Sequence, residues 1–410
     1  MRAWFFTEDA YPQLPDPETY PSIRVNLPNK HFDPETGADN YHQFLDMWLM
    51  AEELGLEVML NEHHQTATCV VPAVPIMAGI LARQTKTARI LVLGNPLANL
   101  PRPTRTAEEM AMVDVISRGR LECGFVRGVP YESAPANVMP YRGTERMWEA
   151  HDLILKAWTT HDGPFNFEGR WFHARQVNIW PRPWQQPHPP VWVTVGSAGT
   201  ALPVAEHDYV GAVFLAGYPG IRRIFDGYRD GYQARHNADA PLDKLAYCAL
   251  VYVADDEAEA KKGGNEVLWY MTSNKVATEY INPPGYHPPA VAAQIAGGGN
   301  LARSLPSQTT LDEQMARGNV FCGTPDQVYE QIKAFYDYSG GFGNLLIMGQ
   351  AGHLTFEQTR RSMTLFANEV YPRLKELTAG YDAGAMKETR AALPDKEGID
   401  LGTFGLEFAR

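Results

Sequence analysis

Three short runs combine residue types that do chemistry with glycines that let a ligand come close. The first is Glu62-His63-His64, directly after the apolar run Glu-Val-Met-Leu-Asn at 57–61. A histidine there can donate a hydrogen bond or move a proton near neutral pH. The same pair also fits a solvated or structurally satisfied role, or a metal ligand. The second run is Cys123-Gly124-Phe125-Val126-Arg127-Gly128. Its glycines allow close backbone approach, and Arg127 offers a forked cation suited to phosphate, although a salt-bridged structural arginine explains the same residues. The third is Gly196-Ser197-Ala198-Gly199-Thr200. A small-residue turn that opens a helix presents free N–H groups to an anion, and Ser197 and Thr200 can add hydroxyls; plain capping by Ser197 predicts the same types. Gly94-Asn95-Pro96 closes another apolar run, either as turn punctuation or as a backbone edge against a planar ring. Gly323-Thr324-Pro325-Asp326 reads as a helix start, with Thr324 as cap and Pro325 at the first helical position.

The elements that must position these runs alternate along the chain. Strand-like stretches at 2–7, 57–61, 89–97, 120–127, 191–196, 209–216, 245–254 and 343–349 are separated by helical periodicity at 40–54, 73–84, 104–117, 142–158, 199–206 and 220–235. A further helix starts at Thr324, and the last runs over 356–377. Eight strands, each followed by a helix, predict a parallel sheet with right-handed crossovers, closed as a (β/α)8 TIM barrel rather than opened as a doubly wound sheet. The barrel domain covers 1–377, with insertions at about 8–39, 160–190 and 262–318 and a C-terminal arm at 378–410. The Pro- and Trp-rich 160–190 reads as a hairpin. The stretch 262–318, with Gly297-Gly298-Gly299, reads as a mobile lid. On a barrel, the chemistry-bearing runs after the second, third, fourth and fifth strands all fall on the face where such folds place catalysis. Strands four and five are neighbours, so Arg127 and the 196–200 turn converge on one anion. Metal ligands gather from several strand ends. No companion cluster accompanies His63 and His64, and the His-x-His of metal-dependent barrel hydrolases is absent from the first strand, so no metal is expected.

The whole chain bounds the partners. It has 410 residues, 36 Lys plus Arg against 48 Asp plus Glu, and a formal net charge of -12. An acidic surface argues against nucleic acid and leaves room for a small anion held by backbone N–H groups and one arginine. Cys69, Cys123, Cys248 and Cys322 form no Cys-x-x-Cys pair and read as buried free thiols of a reducing, cytoplasmic setting. The N-terminus reads as carrying no signal peptide, and no run approaches the ~20 apolar residues of a membrane-spanning helix.

From residue 1 to about 377 the chain resembles the bacterial luciferase-like, flavin-dependent monooxygenases. The resemblance rests on six motifs in order: Asn-Glu-His-His at 61–64, Leu-Gly-Asn-Pro at 93–96, Arg-Leu-Glu-Cys-Gly-Phe-Val-Arg-Gly at 120–128, Val-Gly-Ser-Ala-Gly-Thr at 195–200, Cys-Gly-Thr-Pro-Asp-Gln-Val at 322–328 and Leu-Phe-Ala-Asn-Glu-Val-Tyr-Pro-Arg-Leu at 365–374. It implies reduced FMN (FMNH2) delivered by a separate NAD(P)H:flavin reductase, O2 as co-substrate, and a peroxyflavin that hydroxylates, cleaves or inserts oxygen beside a carbonyl in Baeyer–Villiger fashion. It assigns His63 to catalysis and Arg127, Gly196, Ser197 and Thr200 to the phosphate, and it places Asn95 where the third strand meets the flavin ring. It also implies a homodimer. Val126 stands where the luciferases carry a reactive Cys, which points away from light emission, and Gly196 replaces their acidic residue. The aromatic-rich loops suggest a small apolar or cyclic substrate. The alternatives are an F420-dependent hydride-transfer oxidoreductase of the same superfamily and a non-catalytic flavin-binding or scaffold protein.

Overall fold

The computed structural model describes residues 1–16, 19–273, 288–290, 309–352 and 354–393. Eight parallel strands close into a barrel: β1 (Arg2–Thr7), β2 (Glu57–Leu60), β3 (Ile90–Pro96), β4 (Leu121–Val126), β5 (Val191–Thr194), β6 (Val210–Phe214), β7 (Leu245–Val253) and β8 (Asn344–Gln350). Each pairs with the next, and β8 pairs with β1 to complete the ring, Trp4 opposite Leu346. The crossovers are α1 (Pro34–Glu53), α2 (Val74–Gln84), α3 (Pro103–Ser117), α4 (Gly143–Thr159), α5 (Ala198–Glu206), α6 (Gly217–His236), α7 (Glu257–Val267) and α8 (Phe356–Leu365).

Strand alternation sorts the apolar residues into two cores. Trp4, Phe6, Met59, Leu91, Leu93, Trp192, Cys248 and Leu346 fill the barrel interior. Their neighbours Ala3, Phe5, Val58, Ile90, Val92, Cys123 and Ile347 pack outward against the helices. Burial on both faces is why these strands read as continuous apolar runs. All four cysteines are buried and free. The N-terminal end of the barrel is closed by Glu122, whose buried carboxylate accepts from Trp192 Nε1 and pairs with Arg89 and with Arg2 at 3.0 Å.

A ninth strand, Val320–Gly323, was not expected, because four residues before a helix cap carry little pattern. It pairs with Leu250–Val253 of β7, beyond the stretch Leu245–Cys248 that pairs with β6. Cys248 O accepts from Leu215 N at 3.1 Å and Leu250 N donates to Asn319 O at 3.0 Å, so one edge of β7 serves both partners in succession. Thr324 caps the following helix, Pro325–Ser339, as expected.

Two helix boundaries differ from the periodicity. α1 starts at Pro34 rather than 40, because Asp33 caps it, Oδ2 accepting from Thr36 N at 2.8 Å, and proline suits the first turn. The last helix is interrupted by a π turn at Phe366–Val370 before Tyr371–Ala379. Pro372 lacks the N–H that a continuous α-helix would use there, and the wider turn absorbs the mismatch.

The 160–190 insertion contains an antiparallel hairpin, Phe165–Glu168 with His173–Val177. Glu149 of α4 clamps its turn, accepting from the N–H of Arg170, Trp171 and Phe172, each at 2.8 Å. In the 378–410 arm, helix Ala383–Ala392 lies on its own barrel: Arg390 O accepts from Arg222 Nη2 at 2.8 Å and its guanidinium pairs with Asp226. Residues 394–410, the Gly297–Gly299 run and most of the expected lid at 262–318 lie outside the described residues.

Candidate active site

The C-terminal ends of six strands converge on one cavity of about 440 Å³. Glu8 comes from the end of β1, His63 from β2, Gly94 and Pro96 from β3, Val126 and Arg127 from β4, Gly196 from β5 and Phe214 from β6. Both the location and the size suit a small-molecule site on a barrel.

His63 is held by a carboxylate. Its Nδ1 lies 2.8 Å from Oε1 of Glu132, a residue of the short helix Pro130–Ser133 that follows β4. Oε1 also accepts from His64 N at 3.3 Å. Burial alone would raise Glu132, but the His63 charge and hydrogen bond, then the His64 N–H, outweigh it and hold the carboxyl below its usual range. With Nδ1–H directed at Glu132, Nε2 is the ring nitrogen left for a ligand. His64 is turned aside: its Nε2 pairs with Glu62 Oε1 at 3.0 Å, while Glu62 Oε2 accepts from Val74 N at 3.0 Å at the start of α2. The Glu62 hydrogen bond raises the His64 pKa against the opposing effect of burial. Of the adjacent pair, then, only His63 lines the cavity.

Arg127 and the 196–200 turn meet at the other end. Burial lowers the Arg127 pKa to about 10, so it still carries its charge at neutral pH. Its aliphatic stem lies against Gly143 at the start of α4, where an added Cβ would sit 3.2 Å from Arg127 Cγ and Cδ. Ser197 caps α5: its Oγ accepts from Thr200 N at 3.2 Å, and Thr200 Oγ1 accepts from Ser197 N at 3.0 Å and Gly196 N at 3.2 Å. The capping alternative for Ser197 is therefore realised, and Ser197 is not among the cavity-lining residues, whereas Gly196, Gly199 and Thr200 are. The first two helical N–H groups, of Ala198 and Gly199, have no intrahelical acceptor and suit an anion.

Asn95 does not meet the cavity. Its Nδ2 donates to Gly124 O at 3.0 Å and lies 3.8 Å from Met110 Sδ of α3. The β3–β4 register shifts between Val92 and Asn95, which turns the amide outward and leaves Gly94 and Pro96 as the wall. A Cβ on Gly94 would meet Val126 Cγ1 at 2.7 Å and Gly124 O at 3.0 Å, so glycine is required for the two strands to approach there.

Several lining residues escaped the sequence reading. Glu132 follows β4 with no motif around it. Tyr270 belongs to the stretch read as lid, and Glu8 stands one residue past β1, a position whose barrel-end location was the available signal. Among the described residues no group of three or more His, Cys, Asp or Glu could hold a metal ion, and no helix is long and apolar enough to cross a membrane.

The model of the luciferase-like monooxygenase family matches residues 23–341. The oxygenase component of the flavin-dependent trigonelline monooxygenase of Acinetobacter baylyi is 24% identical over 359 residues, covering 84% of this chain and 92% of that protein. The oxygenating constituent of 3,6-diketocamphane monooxygenase of Pseudomonas putida, a type II Baeyer–Villiger enzyme solved with FMN, superposes with a TM-score of 0.65 at 17% identity, covering 91% of this chain and 98% of that one. An F420-dependent secondary alcohol dehydrogenase shares the fold with a TM-score of 0.61 at 14% identity, over 90% of this chain and 98% of the other.

Proposed function

The chain belongs to the luciferase-like monooxygenase family and is a flavin-dependent monooxygenase, and from that premise we propose that it is the oxygenase of a two-component system that takes FMNH2 from a separate NAD(P)H:flavin reductase and oxygenates a small organic molecule. One observation carries the reading: a single cavity joins a cationic, N–H-rich end at Arg127, Gly199 and Thr200 to a proton-handling end at His63 and Glu132.

The residues fit the cofactor. Arg127 and the α5 N-terminus supply charge and donors for the phosphate, with Thr200 and Gly196 beside them. Leu93, Gly94, Pro96 and Val126 form an apolar wall for the planar ring, and Asn95 supports that wall from behind rather than touching a ligand. When bound, the reduced flavin supplies the electrons that activate O2. The protein's share is position and proton control. Glu132 fixes the His63 ring, so Nε2 presents one lone pair, or one proton, to the reacting region. Phe6, Trp148 and Phe214 line the same space and displace water from it. The description of the 3,6-diketocamphane relative as a type II Baeyer–Villiger enzyme supports a Baeyer–Villiger reaction among the oxygenations considered.

A homodimer and a cytoplasmic setting belong to the same proposal. Ile76 of α2 and Met112, Val115 and Ile116 of α3 form exposed apolar surface on two packed helices, and the four thiols are free. A monomer in sedimentation velocity would remove the dimer.

The decisive experiment is oxygen uptake by the full chain with FMN and a flavin reductase, beside titrations with FMNH2 and with reduced F420. Tight FMNH2 binding with oxygen uptake is expected. F420 turnover without oxygen uptake would replace the proposal with hydride transfer, and flavin binding without turnover of any substrate would leave a flavin-binding protein.

A further inference from the structure

We propose that Glu8 is a specificity-determining residue that receives a positively charged nitrogen of the substrate, an inference that rests on reading this cavity as the oxygenation site. Glu8 stands immediately after β1, and its N–H is fixed to Gln350 O at 3.1 Å. The residue is 2% exposed and lines the cavity. Its carboxylate Oε2 is buried with no hydrogen-bond partner among the described residues. A buried, unpaired carboxylate oxygen is costly, and native proteins retain one chiefly where something else completes it.

The surroundings say what completes it. Phe6, Phe214 and Tyr270 line the same cavity, and aromatic faces attract cations. The neighbouring Asp9 is equally buried, at 1% exposure, but does not line the cavity; burial and then the Glu8 charge push its carboxyl well above the ordinary range. Glu8 is therefore the carboxylate of the pair that a ligand meets. The buried Arg24 donates to the Tyr131 hydroxyl and sits over the Tyr131 and Tyr270 rings, at 5.4 and 6.0 Å; the Glu8 charge helps to hold that guanidinium protonated, yet no hydrogen bond reaches Glu8 Oε2 among the described residues. The cavity thus has the Arg127 guanidinium toward α5 and the Glu8 carboxylate at the end of β1. A cationic nitrogen gains an ion contact at Oε2 and the aromatic faces; a neutral hydrocarbon of the same shape leaves Oε2 unpaired. This sharpens the expected substrate from apolar or cyclic to a small cyclic molecule bearing a cationic nitrogen.

The test uses an isosteric pair, 1-methylpyridinium and toluene, against the FMN-loaded full chain by ligand-observed NMR. The wild type is expected to prefer the cation by about tenfold or more, the scale of a desolvated cation–aromatic contact. Glu8→Gln should bring the two within about threefold while FMN affinity stays unchanged. No preference in the wild type, or a preference that survives Glu8→Gln, overturns the proposal. Should that variant fold poorly, Tyr270→Leu leaves β1 intact and is expected to reduce the preference at least about threefold; an unchanged preference there counts against it. If FMN itself does not bind, the flavin reading fails instead, and the same pair measured without flavin still decides the role of Glu8.

Discussion

His63 and Glu132, 69 residues apart, are joined by a 2.8 Å contact from ring nitrogen to carboxylate, and this contact sets which face of the imidazole the cavity receives. His63→Ala removes the proton-handling group and should lower kcat by about 10²–10³-fold, within the range of general acid–base contributions. Glu132→Gln keeps the ring but loosens its tautomer, and should lower kcat by about tenfold with KM little changed and the pH profile displaced. Steady-state kinetics across pH check both, and an unaltered profile in Glu132→Gln would reduce Glu132 to scaffolding.

Arg127→Ala should weaken FMN binding by about 1.5–3 kcal/mol, roughly ten- to a hundredfold, as the loss of a charged hydrogen-bond partner does. Burial disfavours the Arg127 charge, so the melting temperature without flavin should change far less than the flavin affinity. Fluorescence quenching and thermal melts separate the two effects, and equal FMN affinity would contradict the phosphate assignment.

Two glycines of the cavity should respond oppositely to alanine. At Gly94 the new Cβ would meet Gly124 O, a backbone atom, at 3.0 Å. Gly94→Ala should therefore cost about 1–3 kcal/mol of stability and impair flavin binding. At Gly196 nothing lies within 4 Å of an added Cβ, so Gly196→Ala should fold with wild-type stability. Denaturant melts of both variants make the comparison; equal losses would discard the packing argument.

His64 gives stability a pH dependence. Its pKa in the folded protein is raised above 6.5, chiefly by Glu62. Its pairing thus contributes fully below the unfolded value and is lost as pH rises through the folded one. The stability advantage of wild type over His64→Ala should shrink as the pH rises above about 6.5. Melts at pH 5.5 and 8.5 test the sign, and a growing advantage would refute it.

The parts of the site that a local pattern encodes were legible. Arg127 and the Gly196–Thr200 turn could be paired from the sequence because neighbouring strands carry them. Glu132 was not legible, since only tertiary folding brings its short helix under His63. Asn95 faces away from the cavity for a definite reason: alternation from Leu91 and Leu93, which face inward, would point it inward too, but the register shift after Val92 reverses the count. The barrel strands were legible because both their faces are buried; Val320–Gly323, pairing with only part of β7, lacked the length to be seen.

The Glu122 closure at the N-terminal end also dictates traffic. Trp192, Arg89 and Arg2 saturate that carboxylate, and the barrel interior behind it is filled with side chains. Among the described residues the cavity is therefore reached from the opposite end, where the strand C-termini lie, and a flavin and its substrate would have to arrive over the same face of the barrel.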